Sequence, residues 1–206
     1  SVETAVATAL TSAGELAGGD GTEHSGQPAP LDDDLRRHID RIDALLGIED
    51  HPSTLRPTLD RLARDLVGFQ DRSTAETFLA AVERTARAER AIGSTSALTE
   101  AVAVHLHKLT AYKDEYEVAR LMVADDGLAE ARALANGGAM SYRLHPPMLR
   151  ALGMDRKITI SSHAQPAFRA LAAGKRLRGT KLDPFGYAEV RKVERALIEE
   201  FEAGME

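Results

Sequence analysis

"ALTEAVAVHLHKLTAYKDEYEVARLM", residues 97–122, carries the longest unbroken helical pattern in the chain and decides its fold class. Leu98, Val102, Leu106 (or His105), Leu109, Tyr112, Tyr116, Ala119 and Val123 recur at steps of three and four, the spacing of one helix face. No glycine or proline interrupts the run, so it predicts a single helix from near Ser96 to Val123. At ~1.5 Å per residue that helix would be about 40 Å long and would cross a whole domain. Lys113 and Glu117, and Glu117 and Arg120, stand one turn apart, but such pairs add only ~0.2–0.5 kcal/mol each. They do not account for so dense a charged segment. Tyrosine rings bury well while their hydroxyls still need partners, which suits a structural or partner-facing helix better than a catalytic face.

The same periodicity extends outward on both sides. Leu35, Ile39, Ile42, Leu45 and Leu46 form a first stripe, with Asp32–Asp34 at the acidic start and Gly47 as the stop. Leu55, Leu59, Leu62, Leu66 and Phe69 form a second over 53–69, with Pro57 in its first turn. Ser73 and Glu76 read as a capping box before Phe78, Leu79 and Val82, in a helix that ends at Gly93. Beyond residue 124 a short helix to Leu134 is expected to end at Asn136-Gly137-Gly138. "MSYRLHPPML" (140–149) and "RKITISS" (156–162) predict a small two-stranded β element. A short helix follows over 166–173. Asp183-Pro184 then suggests an N-cap and first position for a last helix burying Val190, Val193, Leu197 and Phe201. The fold class is therefore mainly α: a helical, bundle-like domain over 31–206 with one long central helix. Residues 1–30, weakly helical at first and then Gly-, Ser- and Pro-rich, read as an N-terminal segment and linker.

Composition narrows the function classes. A net charge of −6 does not suit a nucleic-acid binder, and no apolar stretch reaches the ~20 residues that span a bilayer. Aromatics are 4% with no Trp, so Leu, Ala, Val and Ile must build the core. With no Cys there can be no disulfide, thiolate nucleophile or thiolate-held cluster. A cytoplasmic location fits. The chain opens on Ser1 rather than Met, as a processed chain or a fragment would.

No catalytic or metal-binding set emerges. His105 and His107 lie two apart and point roughly 200° apart on a helix, so they cannot share an ion. No H-E-x-x-H or G-x-S-x-G is present, and "GKRLRGT" (174–180) lacks the P-loop order. Lys175, Arg176 and Arg178, with Lys181, still concentrate positive charge between two helices. They are the candidate contact for an anionic ligand or a partner surface.

Several long strings carry a resemblance. Residues 97–122, "YRLHPPMLRALGMDRKI" (142–158), "LRGTKLDPFGYAEVRKVERALIEEFEA" (177–203) and "FQDRSTAETFLAAVERTARAE" (69–89) fall in order over about residues 60–206. Together they resemble the C-terminal region of indolepyruvate ferredoxin oxidoreductases, the fused bacterial members of the thiamine-diphosphate 2-oxoacid:ferredoxin oxidoreductases. The likeness lapses at "SSHAQPAF" (161–168), where that family often carries a Trp. The resemblance implies a parent enzyme that oxidatively decarboxylates 2-oxoacids to acyl-coenzyme A. Thiamine diphosphate, Mg2+ and [4Fe-4S] centres would be held by other domains, and electrons would pass to ferredoxin. It carries no catalytic residue onto this chain. It implies a helical accessory domain that contacts other domains or a second subunit and binds no cofactor alone. The alternative is a free-standing helical module for an anionic ligand or protein partner.

Overall fold

Residues 30–47, 55–93, 95–124, 141–144, 158–161 and 165–204 are described by a computed structural model of the 206-residue chain. They form seven α-helices: α1 (Asp33–Leu46), α2 (Leu55–Phe69), α3 (Arg72–Ile92), α4 (Ala97–Thr110), α5 (Glu115–Val123), α6 (Gln165–Ala173) and α7 (Glu189–Ala203). Strands β1 (Ser141–Leu144) and β2 (Ile158–Ser161) pair antiparallel, Tyr142 opposite Ile160. The mainly α expectation therefore holds. The helix expected to end at Leu134 lies outside the described residues.

The chain divides into two compact units, Pro28–Tyr112 with Tyr187–Glu206, and a second containing Lys113–Gly186. In the first, α3 lies at the centre and packs on α1, α2 and α4, while α7 packs on α4. Leu35, Ile39, Leu59, Leu66, Leu79 and Leu106 meet in one core with the alanines of α3, because each helix turns one apolar stripe inward. In the second, α5 packs on α6.

The continuous helix expected over 96–123 is two helices. α4 ends at Thr110, whose hydroxyl donates to the Leu106 carbonyl at 2.8 Å, and Ala111 leaves helical geometry with ψ 53°. Asp114 is extended and restarts the chain as the N-cap of α5, accepting the Glu117 backbone N–H at 2.8 Å. Leu98, expected on the buried stripe, is exposed. The cap of α3 is Asp71 rather than Ser73: its carboxylate accepts from the Thr74 N–H at 2.8 Å, so the helix starts two residues earlier. Likewise α7 begins at Glu189 and not at Pro184, because Asp183 is committed elsewhere. Its expected buried residues Val190, Val193 and Leu197 are exposed; only Phe201 packs against the core.

One carboxylate ties α3 to α4. Glu89 is buried near the end of α3 and accepts the Leu98 and Thr99 N–H groups (3.0 and 2.8 Å) and the Thr95 and Thr99 hydroxyls (2.8 and 2.7 Å). It thus performs the capping that Ser96, with no side-chain cap bond, does not. Burial raises its pKa, but the hydrogen bonds from Thr99, Leu98 and Thr95 outweigh this and leave it below the ordinary 4.5. Removing the carboxylate strands backbone donors, so Glu89→Ala should destabilise the chain by about 2–3 kcal/mol in urea titration. A folded pKa below the unfolded one makes this contribution complete above pH 4.5 and lost as pH falls through the folded value. The stability gap between wild type and Glu89→Gln should accordingly shrink as pH falls below about 4.5.

Candidate functional site

Within the unit containing Lys113–Gly186, the loop after α6 is organised by Asp183. A 3-10 turn (Gly174–Leu177) leads to Arg178 and then Gly179, whose φ of 75° lies in the left-handed region that glycine tolerates. Asp183 accepts the Gly179 N–H (3.0 Å), the Phe185 N–H (3.1 Å) and the Tyr116 hydroxyl (3.2 Å). Two glycines make room: a Cβ on Gly186 would stand 2.6 Å from the Asp183 carboxylate, and one on Gly174 2.9 Å from the Tyr116 ring. The Phe185 ring meets Tyr116 edge-on at 5.0 Å.

Arg178 closes this arrangement. Its guanidinium reaches Asp114 through two hydrogen bonds, at 2.6 and 2.9 Å, and lies 5.6 Å from the Tyr116 ring centroid. Both side chains of the pair are almost fully buried. Of the three bases expected to contact an anion or a partner, Arg178 is therefore given to Asp114, Lys175 is half-buried, and Arg176 is exposed. The run is not one cationic surface. Burial, reinforced by the Asp183 carboxylate, pushes the Tyr116 hydroxyl well above the usual tyrosine range. Tyr116 thus keeps its proton and serves as a hydrogen-bond donor, which makes it a holding group and a poor nucleophile or base. The sequence stretch "DEYE" had carried a visible hint of this site: Asp114 followed by Glu117 is a helix-start pattern in the middle of an apparently continuous helix.

In the other unit several ionisable groups pair with one another. His107 Nε2 lies 3.0 Å from Asp65, His38 lies 2.8 Å from Glu83, and Arg72 bridges Asp32 and Asp34. Burial, followed by the Arg41 charge, holds His38 below the usual histidine range despite Glu83. Among the described residues no group of three His, Asp or Glu side chains could hold a metal ion, and no helix is long and apolar enough to cross a membrane.

A groove of about 600 Å³ lies open between α4 and α7. Leu98, His105 and Leu109 form one wall, Leu197 and Glu200 the other, with Phe201 also lining it. α7 presents its sides in an unusual order. Arg191 is buried, bonded to Glu194 at 2.5 Å and stacked 5.5 Å from the Tyr112 ring centroid, whereas Val190 and Val193 face solvent. Sequence periodicity located these apolar residues but assigned them to the core.

A family model described as a family of unknown function (DUF6537) matches residues 55–206. No curated protein and no solved structure matches the chain.

The buried pair and the exposed base separate cleanly by substitution. Arg178→Ala leaves the Asp114 charge buried and should cost about 3–5 kcal/mol in chemical denaturation. Arg176→Ala should stay within about 0.5 kcal/mol of wild type.

Proposed function

Taking as premise that the chain belongs to DUF6537, a family of unknown function, we propose that it is a helical accessory domain that docks onto other domains or a second subunit of a larger enzyme. The observation that carries this reading is the division of labour among its side chains. The buried charges of Glu89, Asp114 and Arg178 are satisfied by one another, by hydroxyls and by backbone N–H groups, while apolar side chains of α4 and α7 are left facing solvent.

The long collinear strings over 69–89, 97–122, 142–158 and 177–203 give the parent in this proposal. It is a thiamine-diphosphate-dependent 2-oxoacid ferredoxin oxidoreductase of the indolepyruvate type, working in the cytoplasm. Thiamine diphosphate with Mg2+ would supply the carbanion chemistry, and iron–sulfur centres the electron path to ferredoxin. This chain has no Cys to ligate such a centre, so in this reading those groups sit in other parts of the parent. Its own residues contribute packing and positioning.

Two measurements test the reading. The intact mass of the native gene product should greatly exceed that of the 206 residues; a native product of that size alone would favour a free-standing module instead. The isolated chain, supplied with thiamine diphosphate, Mg2+, coenzyme A and an electron acceptor, should show no 2-oxoacid oxidation. Turnover by the isolated chain would refute the accessory role.

A further inference from the structure

We propose that a cleft between the start of α3 and the last turns of α4 and α7 binds a small organic cation, an ammonium group carried on an apolar body. The site lies wholly within the unit of Pro28–Tyr112 and Tyr187–Glu206 and does not depend on the docking role proposed above.

The cleft has a volume of about 370 Å³, inside the ~300–1,000 Å³ range of small-molecule sites. Phe78, Leu106 and Ile198 give it an apolar lining, and the first two belong to the core, so packing fixes that part of the wall. Polar groups converge on it from three helices. Asp71 and Thr74 come from the start of α3, Thr110 is the last residue of α4, and Glu202 stands in the last turn of α7.

The hydrogen bonds already made select the ligand. Thr74 Oγ1 donates its one proton to Asp71 Oδ1 at 2.9 Å, and Thr110 Oγ1 donates its own to the Leu106 carbonyl at 2.8 Å. Each hydroxyl keeps only acceptor capacity. Asp71 Oδ1 also takes the Thr74 N–H at 2.8 Å, which answers the positive end of α3, whereas no hydrogen bond reaches Oδ2 among the described residues. The Glu202 carboxylate likewise has no partner among them. The cleft therefore offers two carboxylates and two hydroxyls that can only accept, and no Lys, Arg or His among the described residues lines it. The carboxyl-terminal ends of α4 and α7 add the partial negative charge of their last carbonyls. An anion would meet like charge and no matching donors. An ammonium brings three donors and a positive charge, and its apolar body can lie on Phe78, Leu106 and Ile198.

The test titrates the full, isotope-labelled chain at neutral pH with phenethylamine, phenethyl alcohol and hydrocinnamate, which share an apolar body and differ in charge. Amide shifts in the NMR spectrum locate the binding and give its strength. The amine should bind about fivefold more tightly than the alcohol or better, and hydrocinnamate should not bind. The largest shifts should fall at Thr74, Thr77, Thr110 and Glu202, all of which line the cleft. Glu202→Gln should weaken the amine by about fivefold or more. Glu199→Gln removes the same charge from an exposed position outside the cleft and should leave the affinity unchanged. Thr77→Phe, also at an exposed position, fills the cleft and should abolish the shifts while circular dichroism stays that of wild type. The Glu202→Gln and Glu199→Gln comparison stands without that variant. Equal affinity for amine and alcohol, equal effects of Glu202→Gln and Glu199→Gln, shifts spread over the acidic surface, or binding of none of the compounds would overturn the proposal. So would the same shifts on titration with potassium chloride, since an inorganic cation would then be the occupant.

Discussion

Asp114 accepts the Glu117 backbone N–H and both arms of the Arg178 guanidinium at a site almost sealed from water, and the second unit is arranged around that requirement. An ionised carboxylate withdrawn from solvent costs several kcal/mol unless its lone pairs are filled. Here one group fills them from two directions: from the first turn of the helix it starts, and from the loop after α6. The same contact that breaks the chain between α4 and α5 thereby fixes the loop bearing Arg178. Tyr116, two residues on, is drawn into the arrangement because its ring lies beneath the guanidinium and its hydroxyl reaches Asp183.

Asp183 and Glu89 obey the same rule elsewhere. Asp183 takes two backbone N–H groups and the Tyr116 hydroxyl, which shapes the turn through Gly179 and Gly186. Glu89 takes two backbone N–H groups and two hydroxyls, which places the start of α4 against the end of α3. In a chain with few aromatic residues and no disulfide, these carboxylates supply direction that a Leu- and Ala-rich core lacks. Apolar contacts are non-directional, whereas a filled carboxylate admits few geometries. Each of the three is also poorly suited to general acid or base work, since its lone pairs are already occupied.

The stripes of α1, α2 and α3 were legible because a helix with one neighbour-facing side writes its burial into a 3.6-residue period. The break at Ala111–Asp114 was not, because Tyr112 and Tyr116 stay four residues apart and keep the period intact across it. A cap signal was present in Asp114 and Glu117, but its strength comes from Arg178, 64 residues later in the chain, and that contact is absent from any local window. Asp183-Pro184 failed in the complementary way. The dipeptide has the composition of a helix start, yet the Asp serves backbone donors of its own loop and the helix waits until Glu189. The basic run at 175–178 lost its apparent unity for the same reason: charge is visible in sequence, while the carboxylate that absorbs it is not.

The arrangement of α7 is the hardest to derive from its own sequence and the most informative about function. A lone surface helix normally buries its valines and leaves its arginines in water. Here Arg191 is inside, held by Glu194 and the Tyr112 ring, and Val190, Val193 and Leu197 are outside. Fully burying a Val or Leu side chain is worth about 1.5–3 kcal/mol, so three such residues aligned at helical spacing represent a large contribution that the fold itself does not use. Scattered exposed apolar residues need no explanation; a periodic row beside a groove is a surface of defined shape. Its period, i, i+3 and i+7, is that of one helix face turned away from the core that the other helices share.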